Sequence, residues 1–323
     1  MCSLAAAYER LAAIPNSETF EDAPLARYTR FGIGGPASIF FDAQEECALI
    51  DALRIAGELA VPTVLIGGGT NLIVSDCGFR GVVLRYTGSQ IKVRDEVLRA
   101  GAGAVLQDVV DRSIAHGLKG LETMTGIPGY LGGAVYGNAG AYGHSLQEIV
   151  QSIRFFDGEQ VRDFSNSECE FRYRSSIFKN HKNWIVLAAE LKFSFHDSAA
   201  LRKTAHEIRT IRDAKYPPSM KCAGSIFKNL LVSELPVHVV EQIPEKVIRE
   251  GKVPSAWFLE QTDVKGLRRG DIQVAAYHAN LIYNDGQGTA ADLVAVISEL
   301  KRRVRERFGL ELEEEVQYVG FDS

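Results

Sequence analysis

Residues 126–143 read GIPGYLGGAVYGNAGAYG, seven glycines in eighteen positions with no Asp, Glu, Lys or Arg. Glycine loses more backbone freedom on folding than any other residue, so ordering this stretch is costly. The cost is justified where backbone must come very close to something, or must take left-handed torsions closed to side chains. A second uncharged cluster, Gly67-Gly68-Gly69-Thr70-Asn71, follows a short β-type run at 64–66. Successive N–H groups in glycine-rich turns form concave anion sites that need no cationic side chain. Either cluster alone is as consistent with a tight turn as with a ligand cradle. Together, each with an asparagine (Asn71, Asn138) able to hydrogen-bond a cofactor edge, they favour cofactor binding through a pyrophosphate.

The familiar nucleotide motifs fail. There is no GxxxxGK[ST], which excludes a P-loop. A GxGxxA string at Gly32, Gly34 and Ala37 is interrupted by Pro36 and has no apolar strand before it, so it cannot be a Rossmann turn. The net charge of −5 gives no electrostatic case for nucleic acid. No apolar run approaches a membrane span, and Glu9 and Arg10 interrupt the apolar start, which makes a poor signal peptide. Five cysteines (Cys2, Cys47, Cys77, Cys169, Cys222) lack metal-ligand spacing and read as reduced thiols of a cytoplasmic protein. The histidines also lack metal-ligand spacing, so no metal is expected.

At 323 residues the chain can hold two or three domains. Strand patterns are expected at 37–42, 64–66, 81–85, 91–93, 97–100, 184–195 and 272–275, with a closing strand in 310–319. Helical spacing covers 45–60, 105–115, 199–214 and 290–308. Asp157-Gly158 between two apolar runs signals a hairpin. The expected fold is α+β with two or three small domains, a shift in composition near 215 setting off 215–323.

Six segments occur in the order and spacing of one family: GGGTNLIVSD (67–76), GIPGYLGGAVYGNAGAYG (126–143), CEFRYRSSIFK (169–179), AGSIFKN (223–229), HANLIYN (278–284) and LEEEV (312–316). They resemble the UDP-N-acetylenolpyruvoylglucosamine reductases over about 28–320. The short interval between FRYR and AGS resembles the class lacking an insertion that folds a tyrosine over the substrate. The family often has a small residue where Tyr130 stands, Met-Asn or Gln-Asn at Gly137-Asn138, Pro at Leu230, and a basic residue at Tyr277.

The resemblance implies a vanillyl-alcohol-oxidase-type (PCMH-like) FAD-binding part of two α+β subdomains (1–88 and 89–214) and a C-terminal α+β substrate domain. It implies FAD as cofactor, NADPH as co-substrate and a UDP-sugar as substrate. The protein is expected to be a cytoplasmic monomer, with no nucleic-acid or membrane partner. Implied flavin contacts are Ile66, Gly67, Gly68, Gly69, Thr70, Asn71, Leu72, Gly126, Ile127, Pro128, Gly129, Gly132, Gly133, Asn138, Gly140, Ala141 and Tyr142.

An enolpyruvyl ether carries a C=C conjugated to a carboxylate. Its reduction needs a hydride donor, stabilisation of the enolate-like oxyanion, and a proton donor. No side chain donates hydride, so a flavin must. Arg174 is a planar, permanently charged partner for the carboxylate; as a bare residue it could equally be structural. The family motif assigns the proton to Ser225, against the ordinary alternative of a helix or turn cap after Gly224. Among Glu311, Glu313, Glu314 and Glu315, otherwise a solvated face, the motif picks Glu315. Arg212, Lys228 and Asn229 are expected diphosphate or carboxylate contacts, and His278 is expected to be structural. A flavin-dependent oxidase of the same superfamily and a non-catalytic flavin-binding protein remain the alternatives.

Overall fold

The computed structural model describes residues 2–321. Contacts group the chain into two compact units. The first comprises Met1–Ala23, Ala37–Gly69 and Arg80–Pro218, and the second Pro24–Pro36, Thr70–Phe79 and Ser219–Ser323. The segments 1–88 and 89–214 thus share one unit, and two short pieces from before residue 80 join the C-terminal residues.

Two larger sheets lie in the first unit. Four strands run in the order Ser17–Pro24, Pro36–Ala43, Phe79–Tyr86, Thr63–Ile66, the last pair parallel. Five antiparallel strands run Val161–Ser165, Val150–Phe156, Ile185–Lys192, Val97–Gly101, Ile91–Arg94. One apolar cluster includes Ile39, Phe41, Leu49 and Val82 from the first sheet and its helix, and Leu98, Phe155 and Leu187 from the second. The helix Glu46–Glu58 buries Ala48, Leu49, Ala52 and Ala56 along one face. The helix Leu106–Ala115 buries Leu106, Val109, Val110 and Ile114. It stops at His116, before Gly117 with its φ of +68°, a torsion side chains resist.

The hairpin at Asp157 forms, but around a four-residue turn. Asp157 N–H donates to Gln160 O at 3.0 Å, and its carboxylate accepts the N–H groups of Glu159 and Gln160, both at 2.8 Å. The long strand expected over 184–195 ends at Lys192. Phe193 N–H turns to Glu96 O, and Ser194–Phe195 pairs with Leu118–Lys119 instead.

In the second unit, Lys221–Ser225, Leu281–Asn284, Ile272–Val274 and Arg268–Arg269 form an antiparallel sheet in that order. The helix Ala290–Phe308 presents Leu293, Ile297, Leu300 and Val304, each at most 1 % exposed, and burying a side chain of this kind is worth about 1.5–3 kcal/mol. Thr289 caps it through Asp292 N–H, and the Asp76 carboxylate accepts Ala290 and Ala291 N–H at 2.8 and 3.0 Å. The expected closing strand shrinks to Gln317–Val319, parallel to Leu72–Val74. Among the described residues no helix is long and apolar enough to cross a membrane.

Candidate active site

The two glycine clusters meet inside the first unit. A Cβ on Gly68 would stand 3.2 Å from Gly129 Cα and 3.4 Å from the Tyr130 ring, so the loops touch backbone to backbone. Leu106 N–H donates to Gly129 O at 2.9 Å, and Gly132 N–H to Ala102 O at 2.8 Å, pinning the second loop to its sheet. The helix Leu131–Tyr136 follows. On it, a Cβ at Gly133 would meet nothing within 4 Å. This open, uncharged face beside a tight two-loop contact suits a flat cofactor with a pyrophosphate arm: close backbone supplies N–H groups, and bare helix surface supplies room.

Both asparagines bond to neighbouring protein groups, Asn138 from a buried position and Asn71 from an exposed one. Asn138 is 3 % exposed. Its amide nitrogen donates to Gln147 Oε1 and Arg172 O at 3.1 and 3.0 Å, and its oxygen accepts Gln147 N–H at 3.1 Å. Asn71, in the second unit, donates from its side chain to Glu315 O at 2.8 Å and accepts Gln317 N–H on its carbonyl at 2.9 Å.

Arg174 has a left-handed backbone with φ +54°, as do Asn138 (+42°) and Tyr142 (+54°). A non-glycine residue held there stores about 1–3 kcal/mol, and such strain gathers at functional sites. Arg174 Nη1 donates to Gly140 O at 3.0 Å, joining the FRYR segment to the glycine-rich one. Lys179 Nζ donates to Arg174 O at 2.7 Å. Arg212 runs along Gly126, where a Cβ would stand 3.2 Å from its Nε. Gly126 N–H donates to Gln107 Oε1 at 2.7 Å, which also accepts from Arg209.

Ser225 and Glu315 come together in the second unit. Ser225 closes the strand Lys221–Ser225, opposite Leu281. The strand Leu230–Leu231, not a helix, is the next element, so Ser225 is not a helix cap. One residue on, Ile226 O accepts Glu315 N–H at 2.7 Å, and Lys228 N–H donates to Glu313 O at 2.9 Å. The carboxylate run is not simply solvated. Glu311 pairs with Arg305, Glu313 with Lys228, and Glu314 with Lys301 at 3.0 Å. Lys228 is therefore tethered to the segment that carries Glu315. Arg174 belongs to the first unit. Lys179 was missed at the level of sequence although it lies in the quoted FRYR segment, because nothing in its spacing distinguishes it from a surface lysine.

Two glycine loops packed together, an open helix face and a strained arginine suit a flat cofactor beside an anionic group. An FAD binding domain model matches residues 37–161, and a model of the UDP-N-acetylenolpyruvoylglucosamine reductase C-terminal domain matches 216–319. The UDP-N-acetylenolpyruvoylglucosamine reductase of Solibacter usitatus is 58 % identical over 311 residues, covering 96 % of this chain and 100 % of that one. The same-named protein of Rubrobacter xylanophilus is 39 % identical over 302 residues, covering 93 % and 94 %. The solved UDP-N-acetylenolpyruvylglucosamine reductase of Thermus caldophilus superposes with a TM-score of 0.72 at 28 % identity, over 94 % of this chain and 98 % of that one. The chain belongs to the UDP-N-acetylenolpyruvoylglucosamine reductase family.

Proposed function

We propose that this protein reduces the enolpyruvyl ether of UDP-N-acetylglucosamine enolpyruvate to UDP-N-acetylmuramate with NADPH, in the cytoplasmic synthesis of peptidoglycan precursors. The family relationship supports the reaction. The joining of Ser225 to Glu315 through the Ile226 carbonyl is the observation that carries the residue roles.

When bound, FAD supplies the hydride chemistry that no side chain has. It would be held by 66–72 and by Gly126, Ile127, Pro128, Gly129, Gly132, Gly133, Asn138, Gly140, Ala141 and Tyr142. Arg174 would bind the substrate carboxylate, where charge grows as the double bond is reduced. A fixed guanidinium stabilises that charge without reorganising during the reaction. Ser225 would give its hydroxyl proton to the enolate carbon. A serine is a weak acid, but the carbanion it meets is a strong base, and a short oriented transfer suffices. Glu315 would stand beside the same carbon and orient the hydroxyl or the water that reprotonates it. Arg212, Lys228 and Asn229 would contact diphosphate or carboxylate.

The protein would work as a monomer on small molecules, with neither nucleic acid nor membrane as partner. Anaerobic mixing with NADPH and then with the enolpyruvyl substrate tests the reading. The flavin absorbance should bleach with the first and return with the second. Bleaching by an alcohol or sugar with return only on oxygen would favour an oxidase; no bleaching by any donor would favour a non-catalytic flavin carrier.

A further inference from the structure

The strand bearing Ser225 leaves regular pairing just before it. Cys222 faces Tyr283 and Ser225 faces Leu281, so one extra residue sits on the Ser225 side, and Gly224 takes a φ of +75°. A bulge re-aims the side chains that follow it and interrupts the ladder that would otherwise fix them. Something else must set the direction of the chain at 225–227.

Asn280 does this. Its backbone carbonyl accepts Ile226 N–H at 3.1 Å. Its side-chain oxygen accepts Phe227 N–H at 2.9 Å, and its side-chain nitrogen donates to Phe227 O at 2.9 Å. The second N–H of that amide goes to Ser255 Oγ at 2.7 Å, and Ser255 Oγ donates to Phe227 O at 3.2 Å. Asn280 is 2 % exposed, Phe227 1 % and Ser255 fully buried. The amide serves Phe227 as a neighbouring strand would, with donor and acceptor both matched, and only one flip of the amide satisfies both bonds. On the other edge of the same two residues, Ile226 O takes Glu315 N–H and Phe227 bridges to Glu314.

We propose that Asn280, backed by Ser255, is the positioning residue that aims Ser225 and holds it at fixed spacing from Glu315. The inference rests on Ser225 being the proton donor. Asn280 touches no reacting atom; it acts through the 226–227 peptide. Misplacing a reacting group by about 1 Å can cost on the order of 10²-fold, so the network bears on the protonation step in particular.

Asn280→Asp keeps the shape but replaces the donating nitrogen with an oxygen facing Phe227 O. Ser255→Ala removes one leg only, and carries the test if Asn280→Asp does not fold. Each is made alone and with Ser225→Ala, and NADPH reduction and substrate-driven return of the flavin absorbance are timed separately. Amide hydrogen exchange at 226–227 is followed in the cofactor-free protein. Asn280→Asp should leave NADPH reduction within about twofold, slow the return by roughly 10²-fold, and raise exchange at 226–227. With Ser225 already alanine it should slow the return by no more than about threefold, because coupled residues are not additive. Equal losses in both backgrounds, or faster exchange with an unchanged return rate, would overturn the inference while leaving Ser225 as the donor. A wild-type flavin that the enolpyruvyl substrate does not reoxidise at all would overturn the parent reading as well.

Discussion

Lys179 Nζ donates to the carbonyl oxygen of Arg174 at 2.7 Å, at a residue whose φ of +54° would otherwise be costly to hold. The ammonium also lies 5.7 Å from the Tyr136 ring centre, so one lysine ties the arginine to the glycine-rich helix. Lys179→Met should release that carbonyl and let the backbone relax. Substrate-driven flavin reoxidation should slow by about tenfold with little loss of bound FAD. Arg174→Lys, which loses the planar fork, should slow the same step by roughly 10²–10³-fold. Anaerobic stopped-flow absorbance measures both; an Arg174→Lys rate equal to wild type would remove the arginine from the chemistry.

Gly133 and Gly132 are neighbours in sequence with opposite surroundings. A Cβ at Gly132 would stand 2.9 Å from Ala102 Cβ, whereas one at Gly133 meets nothing within 4 Å. Gly133→Val should therefore fold normally but purify with little or no flavin, and its melting temperature without cofactor should match that of wild-type apoprotein. Gly132→Val should lower that temperature itself. Calorimetry with and without added FAD separates the two, and full flavin retention by Gly133→Val would refute the cradle.

Ser225→Ala should bind FAD and be reduced by NADPH at near wild-type rate, while reoxidation by the enolpyruvyl substrate slows by about 10²–10⁴-fold. Ser225→Cys should recover part of the loss, since a thiol is the stronger acid. With exchange at the flavin N5 position controlled for, a solvent deuterium isotope effect on reoxidation would mark the proton transfer. Turnover within about threefold of wild type in Ser225→Ala would pass the proton to water or Glu315.

How much of this was legible in advance divides along physical lines. The glycine loops, the helices at 46–58, 106–115, 198–215 and 290–308 and the Asp157 hairpin follow from local patterns, because each is decided by residues a few positions apart. The commitment of Asn71 to Glu315, and of Asn138 to Arg172, could not be read locally. An asparagine's partner is fixed by which distant backbone arrives beside it, and composition carries no trace of that. The same applies to Asn280. It stood in a quoted motif, but its meaning lies in the bulge at Gly224 that it compensates. The ion pairs of Glu311, Glu313 and Glu314 were likewise hidden, since their bases come from the preceding helix and from the AGSIFKN segment.

Burial pushes the Cys169 thiol up to about 12, with the nearby Glu168 charge adding to it. Burial, helped by Glu46, Cys47 and Glu45, pushes Tyr86 up to about 12 as well. Both hold their protons in the folded state after the unfolded chain, with values near 8.5 and 10, has released them. Their stabilising contribution is complete below about pH 8.5 and falls as pH rises towards 12. Chemical denaturation from pH 8 to 11 should show declining stability, and Cys169→Ala should lessen the decline between pH 9 and 11. In native protein at pH 9 the exposed Cys47 and Cys77 should alkylate while the buried Cys169 stays unmodified. Rapid labelling of Cys169 under those conditions would contradict its elevated value.

The parallel pairing of Gln317–Val319 with Leu72–Val74 has a consequence for biogenesis. A nascent chain leaves the ribosome from its N-terminus, so the 72–74 strand emerges long before its partner is translated. Contacts this distant along the chain slow folding, because loop closure must precede their reward. Until residues 317–319 are translated, that edge stays open to mispairing, and the cell must shield it or tolerate the delay. Deleting residues 317–319 would leave the 72–74 strand waiting for a partner that never comes.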